Sequence, residues 1–321
     1  MFYTVTLNPC FDRTVRLSEP LTPGTLHRLA AHAAVTPGGK GVNVSRALTA
    51  LGAENIALAA VGGERGIAYL DALRAEGIKA EALPSSGVRE NISVLGADGT
   101  QTELNEPGFP APDAEAAAEA YLKANLKRGD TVILSGSLPP ECDAGVYARL
   151  TEAAHAAEAN VVVDASGEAL SLALDAGADL VKPNTDEFRA LCREKLPTAI
   201  LPGDACTDAA RRCLALSDAA EEYVGVYGGT ILVTDGAYGA VYADTDAVVY
   251  SPAEPVEKPK ALKGAGDTYL AAFLWATLVC RMPVFEAMRA ATSAAAALVA
   301  CGTLPEKDAL LALYESEKQE Q

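Results

Sequence analysis

Gly264-Ala265-Gly266-Asp267 stands directly before an apolar run from Thr268 to Val279. That run is apolar nearly all round, which predicts a buried helix. Glycines at its start let backbone N–H groups turn toward a bound group with no Cβ in the way. The first N–H groups of a helix lack partners within it and lie at the positive end of its dipole, a place suited to an anion and to phosphate above all. Asp267 sets a carboxylate at the same place. A carboxylate repels an anion, so it needs a chemical reason. Proton abstraction from a hydroxyl that attacks a phosphoryl group supplies one. The tetrapeptide also reads as an ordinary turn with Asp as a helix cap, so the other motifs of the chain carry weight.

Pro37-Gly38-Gly39-Lys40-Gly41-Val42-Asn43 is the second such motif. Its glycines let backbone approach a ligand, Lys40 adds charge, and Asn43, one turn into the following helix, can face the same pocket. The spacing is neither that of a phosphate-loop NTPase nor that of a dinucleotide fold. Asp12 follows the first strand candidate closely, where open α/β sheets bind ligands at strand carboxyl ends.

The elements that position these residues alternate. Strand candidates are 3–7, 56–61, 131–134, 161–164, 180–182 and 230–233. Helix candidates include 41–51, 67–76, 114–125, 145–157 and 187–194. Val-, Ile- and Leu-rich strands between helices predict a mainly parallel sheet covered on both faces. Segments 239–242 and 247–250 read as antiparallel strands around Asp244-Thr245-Asp246, and helices dominate from Thr268 to Leu313, with the alanine-rich 290–300 as a tightly packed helix. Two segments leave this rhythm: 10–35, with strand-like pieces around a Pro-Gly turn, and 91–95 with 101–104 flanking Ala97-Asp98-Gly99, a hairpin signal. Together they can form a small sheet outside the main one, covering a site or a partner, and the pattern reads equally well as an ordinary edge hairpin.

The chain of 321 residues has 50% hydrophobic and 21% charged residues, which fits a globular protein with a large core. Its 26 Lys and Arg against 43 Asp and Glu give a net charge of −17, which argues against nucleic acid or an anionic membrane surface as partner. Any phosphate site must then be locally basic. Seven scattered cysteines without a C-x-x-C pair point to reduced thiols in a cytoplasmic protein and against a disulfide framework or a zinc site. Neither a signal peptide nor a transmembrane span is expected. His27, His32 and His155 fall in no ligand spacing, and Cys10 reads as packing rather than as a nucleophile. Residues 254–260 read as a solvated linker.

With these motifs in hand, the chain resembles the ribokinase-like (PfkB) carbohydrate kinases over essentially its whole length, and is most similar to the 1-phosphofructokinase and tagatose-6-phosphate kinase branch. Thr6-Leu7-Asn8-Pro9 with Asp12, Pro37 to Asn43, Ser135-Gly136-Ser137-Leu138-Pro139, Lys182-Pro183-Asn184 with Glu187, Thr234-Asp235-Gly236-Ala237-Tyr238-Gly239 and Gly264 to Asp267 match its motifs in order. The resemblance implies one three-layer α/β/α kinase domain over 1–321, with a small β-sheet lid drawn from about 10–35 and 88–107. It implies ATP and Mg²⁺ as cofactors and a homodimer joined through the lid. Asp12, Gly39, Lys40 and Asn43 would hold sugar hydroxyls, Arg89 and Asn91 the substrate phosphate, and Ser137 a further contact. Lys182, Asn184, Glu187, Thr234, Gly236 and Gly239 would serve the nucleotide, with Glu187 reaching magnesium through water. Asp267 would be the base, and the backbone of Gly264, Ala265 and Gly266 the anion hole. The implied reaction is phosphorylation of a ketose monophosphate, D-fructose 1-phosphate to fructose 1,6-bisphosphate. Tagatose 6-phosphate, another sugar or a nucleoside is the alternative within enzymes, and a catalytically silent sugar-phosphate sensor is the alternative outside them.

Departures from the family pattern accompany this. Ser93 stands where 1-phosphofructokinases usually carry Lys, Thr234 where Ser is usual, and Ala261-Leu262-Lys263 where Ser-Thr-Val or Asp-Thr-Val is usual. Lys263 can reach a nucleotide phosphate or lie in solvent, and solvent is the expectation.

Overall fold

The computed structural model describes every residue except 30, 197, 204, 258, 259, 261, 262, 305, 306 and 319–321, and describes 313–318 by backbone alone. Ala261 and Leu262 of the departing tripeptide, and Lys258 and Pro259 of the expected linker, lie outside the described residues. In chain order the strands are β1 (Phe2–Thr6), β2 (Cys10–Arg16), β3 (Ala34–Gly38), β4 (Asn55–Val61), β5 (Ala80–Pro84), β6 (Arg89–Leu95), β7 (Gln101–Asn105), β8 (Thr131–Ser135), β9 (Asn160–Asp164), β10 (Leu180–Val181), β11 (Thr230–Thr234), β12 (Ala240–Ala243) and β13 (Val248–Ser251). The helices are α1 (Lys40–Ala50), α2 (Gly63–Ala75), α3 (Ala114–Asn125), α4 (Val146–His155), α5 (Gly167–Asp175), α6 (Thr185–Lys195), α7 (Ala209–Tyr227), α8 (Ala265–Leu274), α9 (Val284–Cys301) and α10 (Lys307–Lys318).

β1 reads FYTVT and is buried throughout, as a central strand with both faces covered must be. It pairs in parallel with β4 on one side and β8 on the other. The sheet runs β13-β12-β11-β10-β9-β8-β1-β4-β5. All pairings are parallel except β11 with β12 and β12 with β13, as the sequence predicts for that end. Strand alternation then divides the core. Tyr3, Val5, Val132, Leu134, Val161 and Val163 pack under α3 to α7. Phe2, Ile133, Val162 and Leu232 pack under α1, α8, α9 and α10 on the other face, and Ala57 and Ala59 pack there with α2. The result is the expected α/β/α three-layer fold.

α8 bears out the prediction of a helix buried all round: Asp267 through Leu274 are buried, and one π-helical turn carries it on to Val279. α9 is long and apolar enough to cross a membrane by length and composition, and it packs Ala287, Met288, Ala291 and Ala294 into the core beside α8.

A second sheet has the order β3-β2-β6-β7. The expected hairpin is β6 and β7 in antiparallel register, closed by a turn in which Gly99 adopts φ 84°. β3 starts inside the expected segment, at Ala34, and passes its limit of residue 35 to end at Gly38. The central pair, β2 and β6, is parallel, with Asp12 beside Asn91 and Cys10 beside Arg89. Two of these strands are spliced to the main body at adjacent points. β2 follows β1 after three residues. β3 passes through Gly39 into α1, where Gly39 holds φ 120° and any Cβ would meet Thr6 Cγ2 at 2.8 Å and Pro9 Cα at 3.2 Å.

Candidate active site

Parallel strands in register end side by side, so their last residues meet at one edge of the sheet. Asp164 closes β9, Lys182 follows β10, and Thr234 closes β11. α1 and α8 start at the same edge. Together with the small sheet they enclose a cavity of about 700 Å³.

Just beneath its floor, behind Lys40 and Lys182, is Asp164, wholly buried. Lys40 Nζ donates to Asp164 Oδ1 at 2.9 Å, and Lys182 Nζ lies 3.1 Å from Oδ2. Burial opposes the carboxylate's charge, yet Lys182 and Lys40 hold its pKa below the usual range. Burial likewise opposes the charge on Lys40, but Asp164 and Glu187 outweigh it and raise its pKa. A buried charge survives only when paired in this way.

Asp267 lies in the first turn of α8 and is 7% exposed. Its Oδ2 accepts from Asn43 Nδ2 at 2.8 Å. Burial, then the charge of Asp164, push its pKa up to about 6, against the opposing pull of Asn43, Lys182 and Lys40. A carboxylate near 6 is ionised at neutral pH yet basic enough to take a proton. Gly264 caps α8 at φ 82°, and no side chain caps the helix, so the N–H groups of its first turn are free for a ligand. Gly264, Ala265 and Gly266 all line the cavity.

Asn43 is itself oriented. Arg46 Nη1 donates to Asn43 Oδ1 at 2.7 Å, which turns the amide nitrogen toward Asp267. Arg46 is fixed in turn by Glu76 and by the carbonyl of Pro37. Sequence reasoning missed Arg46 and Asp164. The signal for Asp164 was there: an acid ending a run of buried valines requires a partner.

At the small-sheet end, Asp12 Oδ1 takes Lys263 Nζ at 2.5 Å, the Cys10 thiol at 3.3 Å and Asn91 Nδ2 at 3.4 Å. Lys263 is therefore bound across the cavity rather than left to solvent, as the sequence reading had it. Burial and then Asp12 push the Cys10 thiol up to about 12, consistent with its reading as packing. Arg89 donates to the carbonyl of Glu106 at 2.8 Å, and its Nε is buried without a partner. Ser93 lies further out on β6 and donates to Glu103 at 2.7 Å.

On the remaining side, Asn184 and Glu187 form a reciprocal cap of α6, and both face the cavity with Thr234, Gly236 and Gly239. The loop after β11 is tied down by Asp235, which accepts from Thr185 at 2.6 Å and from Arg212 Nε at 2.7 Å. Ala253 to Val256 and Thr292, Ala295, Ala296 and Val299 of α9 complete this wall. The alanines of α9 thus open a slot as well as pack a core. Glu254, expected in a solvated linker, lines the wall and accepts from Ser293.

Every site residue named from sequence lines this cavity except Ser137. The Ser137 hydroxyl accepts from Asn8 Nδ2 at 3.2 Å and so braces the loop after β1. Among the described residues no group of three or more His, Cys, Asp or Glu could hold a metal. Glu187 would suit a cation that keeps most of its waters and takes its other ligands from phosphates.

The pfkB family carbohydrate kinase pattern matches residues 5–305. A 1-phosphofructokinase of Haloferax volcanii is 34% identical over 276 residues, covering 85% of this chain and 83% of that one. A 1-phosphofructokinase of Bacillus subtilis is 33% identical over 292 residues, covering 90% and 89%. The crystal structure of phosphofructokinase-2 from Escherichia coli in complex with substrates and products superposes with a TM-score of 0.85 at 29% identity, covering 98% of both chains. The same family is thus reached from the motifs, from the fold and from the relatives, and the chain belongs to the pfkB carbohydrate kinases.

Proposed function

We propose that residues 1–321 form one kinase domain that transfers the γ-phosphoryl group of ATP to a ketose monophosphate, with D-fructose 1-phosphate going to fructose 1,6-bisphosphate. The observation that carries this reading is Asp267, a carboxylate with its pKa raised to about 6, set at the uncapped N-terminus of α8. It takes the proton of the attacking hydroxyl. The N–H groups of Ala265, Gly266 and Asp267 meet the charge on the phosphoryl group in flight, where fixed dipoles act without reorganisation. Asp12, Gly39 and Asn43 receive the sugar hydroxyls, and Arg89 with Asn91 receives the sugar phosphate through the planar fork of Arg. Lys40, which the resemblance gives to the sugar hydroxyls, is assigned in this reading to the nucleotide phosphates with Lys182, because both ammonium groups meet on Asp164. Asn184, Thr234, Gly236 and Gly239 hold the nucleotide, whose base enters the slot along α9. Glu187 would hold magnesium through water, and the bound ion would neutralise phosphate charge.

The small sheet acts as the lid. Its cavity face carries Asp12 and Asn91. By strand alternation Val15, Val35, Ile92, Val94 and Leu104 lie on the other face, and Val35 and Leu104 are 43% and 56% exposed. An apolar sheet face of this kind calls for cover. A second copy of the lid supplies it, so light scattering should give twice the 33.1 kDa chain mass. The seven free cysteines suit the reducing cytoplasm.

ATP consumption over a panel of ketose monophosphates tests the activity. The highest kcat/KM is expected with fructose 1-phosphate. Ser93, bonded to Glu103 and carrying no charge, favours tagatose 6-phosphate as the second reading. Turnover of none of the panel would leave the sensor reading in place.

A further inference from the structure

Among the described residues four cationic side chains line the cavity: Lys40, Lys182, Arg89 and Lys263. Two of them are already matched, because Lys40 and Lys182 grip the two oxygens of one buried carboxylate, Asp164. The other two lie at the lid end. Arg89 keeps a buried Nε without a partner. Lys263 is 41% exposed and pairs with Asp12. That pair joins the loop before α8 to strand β2, across 251 positions of sequence.

The location of Lys263 decides what it serves. Its ammonium sits on the same oxygen of Asp12 that Asn91 approaches. Both groups belong to the end of the cavity read above as the acceptor subsite. Asp12 and Asn91 are adjacent in register, and Arg89 is two residues before Asn91 on the same face of β6. When acceptor hydroxyls donate to Asp12, its carboxylate is satisfied and the ammonium needs another anion. Arg89 Nε needs one as well. A phosphate carried by the acceptor meets both demands at once, by charge-assisted hydrogen bonds.

We propose that Lys263 is a specificity residue for the acceptor: it exchanges Asp12 for the acceptor's phosphate and, with Arg89, makes a two-cation anchor. This rests on the reading of the site as a sugar-phosphate kinase. It assigns the residue before the anion hole to the acceptor rather than to the nucleotide. It also couples the lid to the ligand, since the cation that leaves Asp12 stays with a ligand that Asp12 itself holds.

The test compares wild type, Lys263→Met and Lys263→Arg with fructose 1-phosphate, tagatose 6-phosphate and unphosphorylated fructose. Lys263→Met should lower kcat/KM for the preferred sugar phosphate by about 30-fold, mostly through KM, as loss of a hydrogen bond to a charged group does. It should lower kcat/KM for fructose by less than about threefold. Lys263→Arg should recover most of the loss. Calorimetric titration with sugar phosphate alone should show Kd rising by the same factor, while Kd for a non-hydrolysable ATP analogue stays within about twofold. An unchanged melting temperature shows that the variant is folded.

Equal losses with phosphorylated and unphosphorylated sugar would overturn the proposal in favour of a simple latch. Weakened nucleotide binding with normal sugar-phosphate binding would overturn it in favour of the nucleotide. If the wild type binds sugar phosphate yet turns none over, the kinase reading fails while the calorimetric comparison still decides the role of Lys263. A wild type that binds no sugar phosphate overturns both.

Discussion

Just beneath the floor of the cavity, Asp164 is fully buried between Lys40 and Lys182, and at the floor Asp267 is held by Asn43, which is held by Arg46. At the lid end, Asp12 shares one oxygen among Lys263, Asn91 and Cys10, while Arg89 Nε and Asn91 Oδ1 lack partners. The floor rests on the nine-stranded sheet, whose central strand is buried at every residue. The lid end rests on strands that are half-buried, and β7 is exposed throughout. Charges fixed in a low-dielectric floor are preorganised for a transition state whose charge pattern is always the same. Groups that are unsatisfied or weakly paired suit recognition of a ligand that comes and goes. On the proposed mechanism chemistry belongs to the body and selection to the small sheet, and substitutions at the two ends should differ in kind.

The largest effect is expected at the base. Asp267→Asn should lower kcat by about a hundredfold or more, the range for general-base catalysis, with nucleotide affinity kept. A variant turning over near the wild-type rate would remove Asp267 from that role. In the wild type, the base works only when ionised. With its pKa raised to about 6, kcat/KM should be flat above that pH and fall about tenfold per unit below it. A profile that stays flat down to pH 5 would contradict the assignment.

Next comes the electrostatic floor. Asp164→Ala leaves two ammonium groups without their shared partner and should cost about 3–5 kcal/mol of stability in denaturant titration. Asp12→Asn, which breaks the half-exposed pair with Lys263, should cost about 1 kcal/mol or less. Similar losses for the two variants would erase the contrast between floor and lid.

The smallest effect is expected at Arg46. Arg46→Met frees the Asn43 amide, whose hydrogen bond lowers the pKa of Asp267. The acid limb of the pH profile should move upward, with kcat falling about tenfold, and Arg46→Lys should restore part of both. A loss of rate with the limb unmoved would mean that Arg46 only supports packing.

Much of this was legible in the sequence because each motif carries a local physical signal. The glycines of Gly264 to Asp267 and of Pro37 to Asn43 mark backbone that must approach a ligand, and the apolar run after Asp267 marks a buried helix. The central strands announced themselves by composition. What stayed hidden depends on contacts distant in sequence. β2 and β6 pair in parallel although hairpin signals describe only antiparallel neighbours. Ser137 was expected to contact the substrate, but it does not line the cavity and its hydroxyl accepts from Asn8. Lys263 looked solvated because its partner lies 251 positions away. One omission was avoidable: Leu216, Ala219, Ala220, Tyr223 and Val224 repeat at helical spacing and form the buried stripe of α7.

On the proposed mechanism the charges of the floor also bear on product departure. Lys40 and Lys182 stand against Asp164, Glu187 and ionised Asp267, one negative charge in excess. When Asp267 takes the hydroxyl proton, the floor gains a positive charge as the bound phosphates gain a negative one, so the two products are gripped most strongly just after they form. With a pKa near 6, Asp267 gives that proton up at neutrality, the extra attraction vanishes, and the bisphosphate and ADP can go. On that mechanism acid, which keeps Asp267 protonated, should hold products as well as slow their formation.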